Sequence, residues 1–114
     1  YANPIVDAHV DELRPAGERI FPAVQKRMNR LAYGNWRTMM YESLVRACVV
    51  RYLADTWNQK KADQQIKSDV GRGFLWMREL VDLLVEYEEH RDKYPTLDAF
   101  FPRIKEFFDG YEVP

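Results

Sequence analysis

The chain has 114 residues, of which 46% are hydrophobic and 14% aromatic, which suits one domain with a real core and excludes intrinsic disorder. Its net charge of −1, with basic residues spread along the chain, excludes the basic patch typical of nucleic-acid binding. No apolar run reaches the roughly 18 residues of a membrane span, and the single cysteine, Cys48, excludes an internal disulfide.

Helix signals begin near the start of the chain. Asn3 followed by Pro4 is typical of an N-cap with proline at the first helical position, which predicts a helix to about Leu13. Its apolar stripe consists of Val6, His9, Val10 and Leu13. Residues 14–17, Arg-Pro-Ala-Gly, predict a break. Pro22 is expected in the first turn of a second helix, or at a kink in it. This second helix carries Ile20, Val24, Met28 and Leu31 at helical spacing.

The stretch of residues 36–57 is the one around which the other helices must be arranged. Asn35, which follows a turn, is a good N-cap for this central helix. At about 100° per residue, one broad apolar face contains Met39, Val45, Val49, Val50, Leu53 and Trp57. Glu42 projects from the middle of that face, with Arg46 one turn further on. We expect this carboxylate to be paired, neutralised or bound to a cation, because burial removes its hydration.

The next segments differ sharply in polarity. Residues 58–72 are polar and indicate a solvated helix or a mobile connector, with only Ile66 and Val70 as apolar anchors. Gly71 and Gly73 bracket the entry to the next helix. Residues 74–91 predict an amphipathic helix whose buried stripe is Trp76, Met77, Leu80, Leu83, Leu84 and Tyr87.

The end of the chain predicts one more helix. Pro95 stops the preceding helix, and Thr96 caps a short turn. Pro102 is expected to open the last helix and Gly110 to follow its end. No stretch alternates as a β-strand does. The predicted fold class is therefore all-α: an irregular bundle of about five or six helices around a central buried helix, in one domain over residues 1–114.

Glu42 and Arg46 form the strongest candidate site that the residues themselves indicate. One interpretation is a buried ion pair, four residues apart, that ties the central helix to its neighbours. The other is that Glu42 is a metal ligand or an acid–base group that Arg46 orients. Composition and periodicity leave both interpretations open.

The other residues that could carry chemistry do not complete a catalytic set. His9 lies on an apolar stripe and is expected to be a core histidine with one satisfied ring nitrogen. His90 lies in a charged run, which predicts a solvated side chain at a helix C-terminus. Cys48 is expected to be a small apolar residue. Neither histidine has a second histidine at the spacing of a zinc motif.

Five stretches, in this order and spacing, resemble a family of bacterial gluzincin-like zinc metallopeptidases that is catalogued as a domain of unknown function. They are Asn3-Pro4-Ile5-Val6, Tyr33-Gly34-Asn35-Trp36, Met40-Tyr41-Glu42-Ser43-Leu44-Val45-Arg46-Ala47, Gly73-Phe74-Leu75-Trp76, and Tyr87-Glu88 through Arg91 to Tyr94-Pro95-Thr96. The resemblance covers most of the chain. In such a family, a His-Glu-x-x-His helix supplies two zinc-binding histidines and the Glu that polarises the attacking water.

This resemblance implies that the chain is the C-terminal helical part of a longer peptidase whose His-Glu-x-x-His helix lies just before Tyr1. Asn3 and Pro4 would end or kink that helix. Glu42 would be the third zinc ligand, with zinc bound only in the full-length protein and a peptide as its substrate. Without its N-terminal half, this chain would be inactive. Arg46 stands where the best-known gluzincins have a carboxylate, so it would orient Glu42 or bind a substrate carboxylate.

The alternative is a non-catalytic helical interaction or structural domain in which Glu42 and Arg46 form a buried ion pair. In that case Glu42→Ala is expected to destabilise the chain by roughly 3–5 kcal/mol, because Arg46 loses its buried partner. A chain separated from its N-terminal half should also expose the apolar surface on which that half docks. This exposure predicts a homodimer formed through the same surface.

Overall fold

The computed structural model describes residues 8–113, and they form five α-helices and one short 3-10 helix, which confirms the all-α class. In chain order the elements are the 3-10 helix Val10–Leu13, α1 Arg14–Arg30, α2 Trp36–Thr56, α3 Gln59–Arg72, α4 Met77–Glu89 and α5 Leu97–Gly110. The predicted N-cap Asn3, with Pro4 and Val6, lies outside the described residues. None of the described helices is both long and apolar enough to cross a membrane.

Helix α2 is the centre of the bundle, as predicted, because it packs against α1, α3, α4 and the 3-10 helix. It begins after Asn35, whose side-chain oxygen accepts a hydrogen bond from the Thr38 N–H at 2.8 Å. Its buried residues are Met39, Met40, Ser43, Leu44, Ala47 and Val50. The predicted buried face is therefore partly wrong. Val49 is 45% exposed and Trp57 64% exposed, because the neighbouring helices pack on the side of Ser43 and Ala47.

The core between α2, α4 and α5 is organised around the buried indole of Trp76. Its Nε1–H donates a hydrogen bond to the Ser43 hydroxyl at 3.0 Å, and that hydroxyl donates to the Met39 carbonyl at 2.8 Å. The ring meets Phe74 and Phe108 edge-on, with centroids 6.1 and 6.2 Å away. The Trp76 N–H and the Ser43 hydroxyl therefore both have hydrogen-bond partners inside an apolar core.

The predicted break at residues 14–17 is wrong, because the 3-10 helix runs directly into α1. Pro15 lies in the first turn of α1, where a missing N–H breaks no helical hydrogen bond. Gly17 is buried, and a Cβ added there would lie 2.6 Å from Cε3 of Trp36. This glycine therefore lets α1 approach the start of α2 closely and does not end a helix.

Pro22 and Pro102 both lie inside helices. This excludes the first-turn alternative for Pro22 and corrects the helix start predicted at Pro102. Helix α5 begins at Leu97, five residues before Pro102, because Thr96 Oγ1 accepts a hydrogen bond from the Ala99 N–H at 3.2 Å. Both prolines are exposed, so water can reach the carbonyl that each leaves without its helical donor. Gly110, predicted to follow this helix, is its last residue.

The polar segment of residues 58–72 is a helix, α3, and not a connector. Asn58 caps it by accepting a hydrogen bond from the Lys61 N–H at 2.9 Å, and it ends at Gly73 with a left-handed φ of +120°. The amphipathic helix predicted from residue 74 begins later, at Met77, because residues 74–76 form a turn. Five residues of its predicted stripe are buried, and Tyr87 is half-buried. The buried five are Trp76, Met77, Leu80, Leu83 and Leu84.

Candidate functional site

Glu42 lies in the second turn of α2, at the edge of the buried face and not in its middle. Its side chain is 29% exposed, and Oε2 lies 3.9 Å from Nε of Arg46. That distance allows electrostatic attraction but is too long for a hydrogen bond. None of residues 8–113 donates a hydrogen bond to the Glu42 carboxylate. Within this part of the chain, its contact is therefore the long ion pair with Arg46.

Arg46 is held by other residues. Its Nη1 donates to Oδ1 of Asp69 at 2.9 Å, and its Nη2 donates to the Tyr33 hydroxyl at 3.2 Å. The guanidinium carbon also lies 4.8 Å from the ring centroid of Phe74. Burial alone lowers the pKa of Arg46, but the hydrogen bonds to Tyr33 and Asp69 outweigh it and raise the pKa above its usual value.

Asp69 of α3 is the fully buried carboxylate of this cluster. Its Oδ1 also accepts a hydrogen bond from Nε2 of Gln65 at 3.1 Å. Two buried atoms, Asp69 Oδ2 and Arg46 Nε, have no hydrogen-bond partner among the described residues. Glu42 offers the acceptor at ion-pair distance from that Nε–H. Arg46 thus forms ion pairs with two carboxylates, a short one with Asp69 at 2.9 Å and a long one with Glu42 at 3.9 Å.

The sequence analysis missed Asp69, although helical spacing carried a usable signal. Ala62, Ile66 and Asp69 lie on one face of α3, and all three are buried. The polar character of residues 58–72 makes that face hard to recognise, because Ile66 and Val70 are the only large apolar residues of the segment. A carboxylate three residues after Ile66 on the same stripe could have been identified as a buried group.

His9 differs from the predicted core histidine. Its side chain is 26% exposed, and both ring nitrogens contact carboxylates: Nδ1 contacts Glu12, and Nε2 lies 2.6 Å from Oδ1 of Asp98. The ring also stacks on Phe101 at a centroid distance of 4.8 Å. The pKa of His9 is raised chiefly by the hydrogen bond to Glu12, against the effect of burial, with a further contribution from Asp98. His9 thus links the start of the described chain to α5.

His90 and Cys48 lie apart from Glu42. His90 is exposed at the end of α4, with Nδ1 2.9 Å from the Glu86 carbonyl oxygen. Cys48 is a half-buried free thiol, and burial, followed by the charge of Glu88, raises its pKa. Within residues 8–113, no three His, Cys, Asp or Glu side chains come together in a group that could hold a metal ion. Asn3 lies outside the described residues.

Comparison with known proteins identifies a family. Residues 1–106 match the family model described as a domain of unknown function, DUF4932. No curated protein and no solved structure matches the chain significantly. Because the family model covers far more than half of the sequence, this chain belongs to the DUF4932 family of domains of unknown function.

Proposed function

We propose that this chain is the C-terminal helical part of a gluzincin-like zinc metallopeptidase, in which Glu42 is the third zinc ligand and α2 forms part of the substrate cleft. The resemblance in sequence motifs suggests this reaction class. The observation that carries the proposal is the Glu42 carboxylate, half-buried on the central helix and held only by a long ion pair among the described residues. Arg46, its ion-pair partner among the described residues at 3.9 Å, uses its two terminal nitrogens for hydrogen bonds to Asp69 and Tyr33.

The residues described here do not hold zinc by themselves. A carboxylate oxygen is one acceptable ligand, but zinc sites in proteins use three or four protein ligands. No such group exists among residues 8–113. The proposal therefore places the two histidine ligands upstream in the full-length protein, and this chain alone is inactive. Its own contribution is to hold Glu42 on a rigid helix.

Arg46 orients Glu42 in this proposal. Both of its terminal nitrogens already donate to Asp69 or Tyr33, whereas Nε–H is unpaired among the described residues and lies nearest to Glu42. Bidentate binding of a substrate carboxylate would have to compete with these existing bonds. The geometry thus favours positioning of Glu42 over substrate binding. Asn3 keeps its predicted role at the end of the upstream zinc helix.

The test is metal content, measured by mass spectrometry on this 114-residue chain and on the protein extended upstream. We expect about one equivalent of zinc in the longer protein and none in the shorter chain, because only the longer protein supplies all ligands. Glu42→Gln should remove the zinc from the longer protein. Glu89→Gln, which changes an exposed carboxylate of α4, is the matched control and should retain it.

Two results would contradict the proposal. One is a longer protein that contains no zinc and whose upstream sequence lacks His-Glu-x-x-His. The other is a zinc content and peptidase activity that Glu42→Gln leaves unchanged. In either case Glu42 would not be a ligand.

The second candidate is a non-catalytic helical interaction domain, and one observation favours it. The large apolar side chains that are exposed in the described part of the chain are Val49, Tyr52 and Trp57, all at the C-terminal end of α2. Val49 and Tyr52 are three residues apart and lie on one face. An absence of zinc in both proteins, together with loss of partner binding on Val49→Lys, would support this function over the peptidase.

A further inference from the structure

A groove on the far side of α2 from Glu42 is not used by the proposed site. It lies between α2, α4 and the segment that leads into α5, and its volume is about 450 Å³. Its walls are mostly apolar and come from Leu84, Tyr87, Pro95 and Leu97, with Tyr52 at its edge. Cys48, which also lines it, is six residues after Glu42 and projects from a different side of the helix. This groove and Glu42 are therefore separate.

The groove contains two arginines, Arg51 and Arg91, and two carboxylates, Asp55 and Glu88, but both carboxylates are bound to the same arginine. Arg51 is neutralised, because its Nε and Nη2 donate to the Glu88 carboxylate at 2.6 and 3.2 Å and its Nη2 also reaches Asp55 at 3.2 Å. Arg91 has only neutral partners among the described residues. Its Nη2 donates to the Pro95 carbonyl at 2.8 Å, and its guanidinium carbon lies 4.8 Å from the Tyr87 ring centroid. Arg91 is therefore the cation of the groove that has no carboxylate partner among the described residues.

We propose that this groove binds a small monocarboxylate with an aromatic or branched apolar body, whose carboxylate pairs with Arg91. The apolar body then contacts Leu84, Leu97 and the edge of Tyr52. The ligand's carboxylate would supply the ion-pair partner that Arg91 lacks among the described residues. Because Arg91 is held by Pro95 and Tyr87, the guanidinium is already in place before the ligand arrives.

The size and lining of the groove fit this class of ligand. Small-molecule sites typically have volumes of about 300–1,000 Å³, apolar walls and a few polar groups that fix orientation. A volume near 450 Å³ is in the lower part of that range and suits a compact acid rather than a large cofactor. The two rings and two leucines offer contact area, and a charge-assisted hydrogen bond from Arg91 would fix the orientation of the acid. The proposal does not depend on the function of Glu42.

The test uses this chain and two matched probes, phenylbutanoate and its neutral amide, titrated while amide chemical shifts are followed by NMR. We expect the acid to shift residues around Leu84, Arg91 and Leu97, and to bind roughly tenfold more tightly than the amide, because only the acid pairs with Arg91. Arg91→Gln should weaken binding of the acid by a similar factor and leave the affinity for the amide unchanged. Arg72→Gln, an exposed change at the end of α3, is the control and should alter neither.

Several results would overturn the proposal. Equal affinity for the acid and the amide, or an affinity for the acid that Arg91→Gln does not change, would show that Arg91 does not select the charge. Shifts confined to residues outside the groove would place the ligand elsewhere. Tighter binding of a peptide that ends in a free C-terminal phenylalanine would assign the groove to peptide termini and not to small acids. Because Arg91 is exposed, its variants should fold, which circular dichroism checks.

Discussion

The Arg46–Asp69 pair determines how Glu42 is to be interpreted. Sequence spacing pairs Arg46 with Glu42, four residues earlier on the same helix. The structure brings a second carboxylate to Arg46 from α3, and that carboxylate is fully buried while Glu42 is partly exposed. A buried carboxylate requires a counter-charge more than an exposed one, because its lost hydration must be replaced. Arg46 is therefore primarily the partner of Asp69, and Glu42 remains available for another role.

Two alanine substitutions distinguish these partners. Asp69→Ala is expected to lower the free energy of unfolding by roughly 3 kcal/mol, because Arg46 loses its buried partner. Glu42→Ala is expected to change it by less than about 1 kcal/mol, because Arg46 keeps Asp69 and Tyr33. Urea unfolding followed by far-UV circular dichroism measures both. A larger loss for Glu42→Ala would restore the Glu42–Arg46 ion pair as the main structural contact.

His9 is expected to make the stability of the fold depend on pH. Its pKa in the folded protein is raised above 6.5 by Glu12 and Asp98, so the folded state binds the proton more tightly than the unfolded chain. The stabilisation is fully present below the unfolded pKa and is lost as the pH rises through the folded pKa. The free energy of unfolding should therefore fall as the pH rises from about 6.5, the unfolded value, through the raised pKa of His9.

Denaturant unfolding across this pH range checks the prediction. His9→Gln should flatten the fall, whereas His90→Gln should retain it, because among the described residues the hydrogen bond of the His90 ring is to the neutral Glu86 carbonyl. An unchanged pH profile in the His9→Gln protein would show that the contacts with Glu12 and Asp98 do not depend on the imidazolium charge.

At the scale of single elements, side-chain caps mark the helix starts more closely than proline and glycine mark helix boundaries. Asn35 caps α2, as the sequence indicated, and Thr96 forms a side-chain cap at the start of α5. Both caps depend on a side chain and a backbone N–H three residues away, which is a purely local contact. Gly17, by contrast, lies within a helix because a neighbouring helix needs the space of its missing side chain. That requirement cannot be seen in a local window.

The two glycines near the end of α3 provide a matched pair of substitutions. Gly73→Ala is expected to lower the free energy of unfolding by roughly 2 kcal/mol. The φ of +120° at this position is strained for any residue with a Cβ, and that Cβ would lie 2.9 Å from Cβ of Arg27 and from Cε of Met28. Gly71→Ala has open space and a helical backbone, so it should stabilise by roughly 0.5 kcal/mol. Thermal unfolding compares them, and equal effects would contradict this explanation.

At the scale of the whole molecule, burial is unevenly distributed along α2. Its N-terminal two-thirds are covered by the other helices, whereas Val49, Tyr52 and Trp57 are exposed towards its C-terminal end. The Trp57 ring has a cation over its face, because Nζ of Lys61 lies 5.7 Å from the ring centroid. Among the described residues, this exposed end offers large apolar side chains through which the homodimer predicted from the sequence could form.

Self-association through this surface is tested by light scattering at high protein concentration. The chain is expected to form a dimer, because pairing of two such surfaces removes their apolar area from water. Val49→Lys should shift the equilibrium towards monomer, whereas Gln64→Lys, an exposed change on α3, should not. A chain that stays monomeric at every concentration would contradict the prediction.

The sequence by itself determined the all-α class, the approximate helix positions and the central place of α2, and it singled out Glu42 with Arg46 as candidate site residues. These features depend on periodicity and on caps, which act over a few neighbouring residues. Only the tertiary structure decided which face of α2 is buried, that Asp69 is the partner of Arg46, and that a groove with an unpaired Arg91 lies between α2 and α4. Each of these depends on contacts between residues from separate elements, for which a single helix pattern carries no information.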